Sequence, residues 1–200
     1  MVLRLVGSEM CIRDRIRCAW GSKNNYCFTT TALTSKIWLI YEDDDAKWHA
    51  KAVADIGDAS KIPLPVDISI SAEDNLLWVN TWNDGLTRLF DISDPHAPEE
   101  VLTEQIGEQI NMVSQSWDGE RLYYTSSLLA NWDKTSSESG QDVQYFKGYT
   151  WDGEKLTLDL NLDFMAMELG APHQMRFGAY ALYGKRPDSV KESANAATAR

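Results

Sequence analysis

The sequence predicts an all-β chain that forms part of a β-propeller, and a repeated pattern carries this prediction. In three stretches, at residues 24–44, 74–94 and 119–164, a run of β-forming residues is followed by a polar turn, a second β-forming run and an acidic end. The apolar parts begin at Tyr26, Leu77 and Leu122, so the repeat is about 45–51 residues long, which is typical of propeller blades. None of the repeats sustains a 3.6-residue apolar period, so we expect little helix.

The first repeat predicts three strands after a possible strand end near Ile16. We expect strands at Tyr26–Thr31 and at residues 35–41. The second of these is apolar almost throughout, as in a strand with both faces covered. A polar turn at residues 43–46 leads to an alternating outer strand at residues 48–53.

The second and third repeats each predict four strands. Pro63 and Pro65 mark a linker before the second repeat, because closely spaced prolines do not fit a paired central strand. An alternating strand at residues 66–71 then precedes strands at Leu76–Thr81, 86–92 and 99–103, with a turn at residues 83–85 that ends in Gly. In the third repeat we expect strands at residues 111–116, 121–126, 143–150 and 155–164. The polar segment 134–141 is predicted to be disordered.

The two ends of the chain do not follow the blade pattern. Residues 1–15 resemble neither a blade nor a signal peptide, because charged residues interrupt their apolar run. The string GSEMCIRDR within them resembles translated sequencing-adapter sequence, so we expect a non-native or disordered leader. We interpret residues 16–184 as blades of a larger domain, and the Ala-rich polar residues 185–200 as a disordered tail.

Composition excludes several classes of function. A net charge of -11 argues against a nucleic-acid surface, which needs clustered Lys and Arg. No apolar run approaches the 18 residues of a membrane span. Three cysteines, Cys11, Cys18 and Cys27, form neither a disulfide framework nor a zinc motif, and Cys27 is interpreted as a small buried apolar side chain.

Five phrases, in order, resemble the selenium-binding protein/methanethiol oxidase family. They are the run at residues 66–95 that ends FDISDP, QSWDGERLYYT at 115–125, Ser127-Leu128 with Trp132-Asp133, LTLDLNLDF at 156–164, and GAPHQMRF at 170–177. The resemblance covers about residues 17–177 and corresponds to the C-terminal half of the family. It implies three to four blades of a seven-bladed propeller about twice this length.

The resemblance also implies an activity and a cofactor. In the oxidase branch, copper supports the oxidation of methanethiol, a small thiol, to formaldehyde, hydrogen sulfide and hydrogen peroxide, and selenium is a second possible ligand. The implied metal site consists of histidines near the propeller axis, most of which lie outside the matched half. The chain would then be a fragment that is inactive alone.

His173 is the candidate metal ligand. Imidazole suits copper, Pro172 fixes the backbone before it, and Gln174 is placed to support it. Taken without the resemblance, a lone His before an apolar strand is more often structural, and both interpretations stay open. His49 and His96 are interpreted as surface residues without a second ligand at metal spacing.

Large aromatic residues and strand-end carboxylates have structural interpretations first. Trp38, Trp82 and Trp132 fall where aromatics fill the space between sheets, and Trp82 and Trp132 are also candidates to line a substrate channel. The carboxylates are interpreted as turn caps and hydrogen-bond anchors; they are Asp67, Asp91, Asp94 and Asp133. No catalytic residue is assigned. The alternative function is a non-catalytic propeller that binds a partner through its blade loops.

Overall fold

Antiparallel sheets account for nearly all regular structure, which confirms the all-β prediction. The computed structural model describes residues 17–18, 26–116, 118–129, 131–137, 140 and 142–175. The predicted leader and tail lie outside the described residues. Among the described residues, the one helical element is a 3-10 turn at Ala59–Lys61. No helix in the described part is long and apolar enough to cross a membrane.

The described strands form three sheets of four. The first contains β1 (Arg17–Cys18), β2 (Tyr26–Thr31), β3 (Lys36–Glu42) and β4 (Trp48–Asp55). The second contains β5 (Pro65–Ile70), β6 (Leu76–Thr81), β7 (Leu86–Asp91) and β8 (Glu99–Gln105). The third contains β9 (Val113–Gln115), β10 (Arg121–Thr125), β11 (Tyr145–Trp151) and β12 (Leu156–Asp163).

The three sheets are consecutive propeller blades. In each, every strand pairs antiparallel with its neighbour in sequence, so that the order within a sheet is first to fourth. The first strands lie side by side, with β5 between β1 and β9, whereas the fourth strands β4, β8 and β12 are the most exposed. The predicted β-propeller is therefore confirmed.

Strand register confirms the predicted repeat length. Thr31 pairs with Lys36 across the central hairpin of the first blade, and Thr81 pairs with Leu86 in the second, a step of 50 residues. Leu77 and Leu122 occupy matching places opposite β5 and β9, a step of 45 residues.

The central hairpin differs between blades at its connection. In the second blade four residues join β6 to β7, and Gly85 closes the turn by donating to the Thr81 carbonyl at 3.1 Å. Gly85 has φ +70°, and a Cβ there would lie 2.2 Å from the Gly107 carbonyl oxygen, so only glycine fits. In the third blade, the connection from β10 to β11 instead runs over residues 126–144. We call this segment the third-blade insertion.

The two largest apolar clusters hold the blades together, and the second blade contributes to both. One cluster lies between the first and second blades and includes Phe28, Ile37, Leu39, Ile68, Leu77, Val79 and Phe90. The other lies between the second and third blades and includes Trp78, Leu89, Val113, Leu122, Tyr124, Tyr145 and Tyr149. Each blade interface is thus a sheet-on-sheet core.

Burial of two strands differs from the prediction. The strand predicted with both faces covered, β3, buries only alternate residues, Ile37 and Leu39. The strand predicted to alternate, β5, is buried on both faces except at Ser69. The reason is that β5 has a described blade on either side, whereas β3 has one on a single side.

Two local predictions were wrong. Cys27 is half-buried and disulfide-bonded, and its Cα partner across the β1–β2 ladder is Cys18. Antiparallel pairing places Cα atoms opposite one another without any regular spacing in sequence. Residues 134–137, predicted to be disordered, are held at both ends: Lys134 N–H donates to Gln109 Oε1 (2.7 Å) and the Ser137 hydroxyl to Glu108 Oε1 (2.6 Å).

Candidate functional site

His173 lies in an extended segment that the third blade binds along its backbone. Three donors of that blade reach carbonyl groups of residues 172–175: the Ser127 N–H at 2.9 Å, the Thr125 hydroxyl at 2.7 Å and the Ser114 hydroxyl at 2.8 Å. The segment is therefore positioned by a rigid sheet, as a ligand-bearing residue requires.

Similar contacts join the first strands of the second and third blades. Asp67 Oδ2 accepts from the Val113 N–H at 3.0 Å, and Gln115 Nε2 donates to Ser69 Oγ at 2.8 Å. The segment at 172–175 binds the third blade at the same strand, through Ser114. His173 consequently stands in the row of first strands rather than on the rim formed by the fourth strands.

The ring of His173 is half-buried, and its hydrogen bond fixes which nitrogen carries the proton. Nδ1 lies 2.7 Å from the Ser127 carbonyl oxygen. A carbonyl oxygen only accepts, so Nδ1 must donate, and the tautomer is assigned from this contact. A neutral imidazole protonated at Nδ1 carries its lone pair on Nε2. Nε2 is therefore the nitrogen with the chemistry of a metal ligand.

Asn111 supports the same carbonyl. Its Nδ2 donates to the Ser127 oxygen at 2.5 Å, and the 3.4 Å between Asn111 Nδ2 and His173 Nδ1 separates two donors that share one acceptor. Asn111 is fully buried, and Asn80 Nδ2 donates to its backbone carbonyl at 2.8 Å. Its side-chain oxygen has no hydrogen-bond partner among the described residues.

Asp133 anchors the start of the third-blade insertion. Its Oδ1 accepts from the backbone N–H groups of Leu128 (2.9 Å) and Leu129 (3.1 Å), and its Oδ2 accepts from the Ser127 hydroxyl (2.5 Å). The predicted anchoring role is confirmed for Asp133. It also holds for Asp67, for Asp91 at the end of β7, which accepts from the Ser93 N–H, and for Asp94, which accepts from the His96 N–H.

The two candidate channel tryptophans occupy different environments. Trp82 is buried against Val66 and Leu128, which confirms that it fills space between sheets. Trp132 is 51% exposed on the third-blade insertion, so the prediction that it fills such a space is wrong. Trp38 is half-buried on β3. A role of Trp82 or Trp132 in lining a channel stays a prediction.

The other two histidines lie around Tyr41. His49 Nε2 lies 2.6 Å from Asp43 Oδ2, and its ring stacks on Tyr41 with a 5.4 Å centroid distance. The hydrogen bond from His49 holds the pKa of Asp43 below its usual value. His96 meets the other side of Tyr41 edge-on at 4.8 Å. A carboxylate therefore lies beside His49, because the turn after β3 folds Asp43 back towards β4, but no third potential ligand joins the pair among the described residues.

No complete metal centre lies in the part of the chain that the structure describes. No three His, Cys, Asp or Glu side chains there are close enough to share an ion. His173 supplies one oriented nitrogen. Sequence reasoning did not identify Asn111 or the Ser127 carbonyl as its supports. The sequence offers only a weak signal for Asn111, a polar residue at the start of the predicted strand 111–116, because its burial is visible in the structure alone.

Comparison with known proteins identifies close relatives of the sequence. Residues 5–179 match the family described as 56 kDa selenium binding protein (SBP56). The chain is 60% identical over 168 residues to a methanethiol oxidase of Ruegeria pomeroyi, covering 84% of this chain and 38% of that protein. It is 51% identical over 180 residues to a methanethiol oxidase of Hyphomicrobium sp, covering 89% and 39%. The chain thus spans about two fifths of the length of these relatives.

A solved structure also resembles the fold. The X-ray structure of a hypothetical selenium-binding protein from Sulfolobus tokodaii superposes with a TM-score of 0.62 at 25% identity. The superposition covers 74% of this chain and 40% of that one.

Proposed function

The chain belongs to the 56 kDa selenium-binding protein family, and we propose that it is part of a methanethiol oxidase. One observation carries the proposal: in a chain 60% identical to a relative of that name, His173 is oriented with its lone pair on Nε2. The substrate is a small thiol. The proposal concerns the whole protein, of which these blades are a part.

The donor chemistry of His173 fits copper. Imidazole nitrogen is a preferred ligand of this metal, and a ligating His commonly donates its other ring N–H to a carbonyl oxygen. His173 makes that hydrogen bond, to Ser127. His173 Nε2 would hold the metal together with ligands from outside the described residues. Bound copper supplies one-electron and dioxygen chemistry that amino-acid side chains do not provide.

The proposed overall reaction is balanced. Methanethiol, dioxygen and water give formaldehyde, hydrogen sulfide and hydrogen peroxide. The carbon loses two electrons and dioxygen gains them, while sulfur leaves as sulfide and water supplies the oxygen of formaldehyde.

Apolar side chains adjoin Ser127, whose carbonyl binds His173, and they suit the methyl group of such a thiol. Trp82, Val66 and Leu128 form one buried cluster, and Leu128 directly follows Ser127 in the chain. Small-molecule sites commonly combine an apolar lining with a few placed polar groups. We assign Trp82 to the apolar wall. Trp132, on the same insertion, is assigned to the entrance because it is exposed.

Two histidine variants of the full-length protein test the assignment. We expect His173→Ala to lower copper stoichiometry and abolish thiol-dependent peroxide release while the circular dichroism spectrum is retained. His96→Ala is the control and should leave both unchanged, because its ring packs on Tyr41 in a blade loop. Normal copper content and activity in His173→Ala would remove His173 from the site.

The same assay separates the enzyme from the alternative. A full-length protein that binds no copper and releases no peroxide with methanethiol would instead be a non-catalytic propeller that binds a partner through its loops. Selenium content, measured by mass spectrometry on the same samples, tests the second possible ligand.

A further inference from the structure

We propose that Asp133 is a positioning residue for His173 and that it acts through the backbone of Ser127. The inference rests on the proposed role of His173 as a ligand. It concerns two residues of the third-blade insertion, neither of which is proposed as a ligand of the metal ion.

The first step is the grip of Asp133 on three consecutive residues. The carboxylate accepts the hydroxyl of Ser127 and the N–H groups of Leu128 and Leu129, at 2.5, 2.9 and 3.1 Å. Hydrogen bonds to a charged acceptor are shorter and stronger than neutral ones. Three of them on one carboxylate therefore fix the course of the chain at Ser127.

The second step is the grip of Ser127 on the His173 segment. The Ser127 N–H donates to the Pro172 carbonyl at 2.9 Å, and the Ser127 carbonyl accepts from His173 Nδ1 at 2.7 Å. The two backbone groups of one residue thus bind the segment, one before the His and one at its ring. A shift of Ser127 would move the ring and remove the acceptor that keeps the proton on Nδ1.

The third step is a second hydrogen bond to the Ser127 carbonyl, donated by Asn111. Asn111 Nδ2 donates to the same oxygen at 2.5 Å, and Asn111 is fully buried. The carbonyl is therefore held from the blade side by Asn111, while Asp133 holds the residue that carries it. Since a carbonyl oxygen has two lone pairs, these two donors use its full capacity.

The second blade lacks the hydrogen-bonded segment that Asp133 and Ser127 form in the third. There, four residues join β6 to β7, and no segment corresponds to residues 127–133. Residues 127–133 of the third-blade insertion hence supply a rigid carbonyl that the four-residue turn of the second blade does not. This gives the start of the insertion a function beyond connecting two strands.

Copper affinity of the full-length protein, measured by competition with a chelator, is the first test. Removing an outer support of a metal ligand commonly costs about 10- to 100-fold in metal affinity, and we expect that loss in Asp133→Ala. Asp133→Asn should lose less, because an amide oxygen still accepts from Leu128 and Leu129 whereas its NH2 group does not accept from Ser127. Ser127→Ala, which keeps the backbone and removes only the hydroxyl, should match Asp133→Asn.

Asp152 provides the matched control. Its Oδ1 accepts from the N–H groups of Glu154 and Lys155, both at 3.0 Å, in the turn between β11 and β12 at the other end of the third sheet. Asp152→Ala removes the same kind of bond without touching Ser127. Copper affinity should remain within two-fold of the unmodified protein.

The second test does not depend on metal. In metal-free protein with 15N-labelled histidine, we expect His173 to give the NMR signature of an imidazole protonated at Nδ1. Asp133→Ala should give a mixture of tautomers. A folded Asp133→Asn or Ser127→Ala protein with unchanged tautomer and unchanged copper affinity would overturn the inference. If His173→Ala leaves copper binding intact, the ligand assignment fails, whereas the tautomer measurement still decides whether Asp133 positions the ring.

Discussion

Strands β3 and β7 occupy the same place in adjacent blades, yet their burial contradicts their composition. β3, with the sequence KIWLIYE, is almost wholly apolar and buries only two of its side chains. β7, with the sequence LTRLFD, carries Thr87 and Arg88 and is buried at its four central positions. A strand's place among the blades, rather than its own apolar content, therefore decides how far it is buried.

Arg88 shows how the second blade tolerates this burial. Its guanidinium pairs with Asp84 Oδ2 at 2.6 Å and donates to the Thr81 hydroxyl, so that the charge is compensated inside the blade. A buried charge without such partners would be strongly unfavourable. Half-buried Trp38 occupies the corresponding position of β3. Arg88 is thus buried with its charge paired, whereas Trp38 keeps part of its apolar surface uncovered among the described residues.

Truncation at a matched position should show the largest difference. Phe90 in β7 and Ile40 in β3 correspond in register, but Phe90 is 1% exposed and Ile40 is only half-buried. We expect Phe90→Ala to lower the free energy of unfolding by about 3–5 kcal/mol. In this 200-residue chain Ile40→Ala should cost about 1–2 kcal/mol, because Ile40 is only half-buried among the described residues. Denaturant unfolding of both variants gives the comparison, and equal costs would contradict it.

The turn between β6 and β7 offers the next test. Gly85→Ala would place a Cβ 2.2 Å from the Gly107 carbonyl oxygen at a positive φ, so we expect a loss of about 3 kcal/mol or more. Gly153→Ala is the control, since φ is also positive there but nothing lies within 4 Å of the new Cβ. It should cost only about 1 kcal/mol. Thermal unfolding of the two variants separates the steric cost from the conformational one.

In the corresponding turn of the first blade, between β2 and β3, a substitution should raise the free energy of unfolding rather than lower it. Ser35 closes it with φ +50°, and its buried hydroxyl has no hydrogen-bond partner within the described part of the chain. Glycine accepts this backbone conformation without strain, so Ser35→Gly should raise the free energy of unfolding by roughly 0.5–1 kcal/mol. A lower melting temperature for this variant would show that the serine makes a contribution that its geometry does not reveal.

The third blade adds a smaller, pH-dependent effect. The hydrogen bond from Lys147, at 2.9 Å, holds the pKa of Asp142 below its usual value, with help from Asn161 and against the effect of burial. A carboxyl with a lowered folded-state pKa contributes stability that is complete above the unfolded value, about 4, and is lost as the pH falls through the folded value. We therefore expect Asp142→Asn to flatten the acid limb of a stability–pH curve.

Local sequence signals predicted the strands well. Tyr26–Thr31 and Leu76–Thr81 have the predicted bounds, because β-forming runs and Gly- or Asp-containing turns are properties of neighbouring residues. Burial was not predictable in the same way. Whether β3 or β5 is covered on both faces depends on the blades beside it, and the exposure of Trp132 depends on how the insertion folds.

The candidate site was predicted only in part. His173 was selected by its resemblance to a family phrase, and its orientation depends on groups distant in sequence. Asn111 and His173 are 62 residues apart, and Ser127 and His173 are 46 apart. No periodicity or spacing links such positions. The role of Asp133 as an anchor was predictable from its residue type, but what it anchors was not.

Sequential strand order has a consequence for biosynthesis. Since every described strand pairs with its neighbour along the chain, each sheet can close soon after its last strand leaves the ribosome, without waiting for distant segments. The contact of Asp67 with Val113, in contrast, requires the following sheet. The clamp on His173 requires residues 111, 127 and 173 together, so it forms only after the third sheet is complete. Vectorial folding therefore delays the fixing of the His173 ring until translation has passed residue 173.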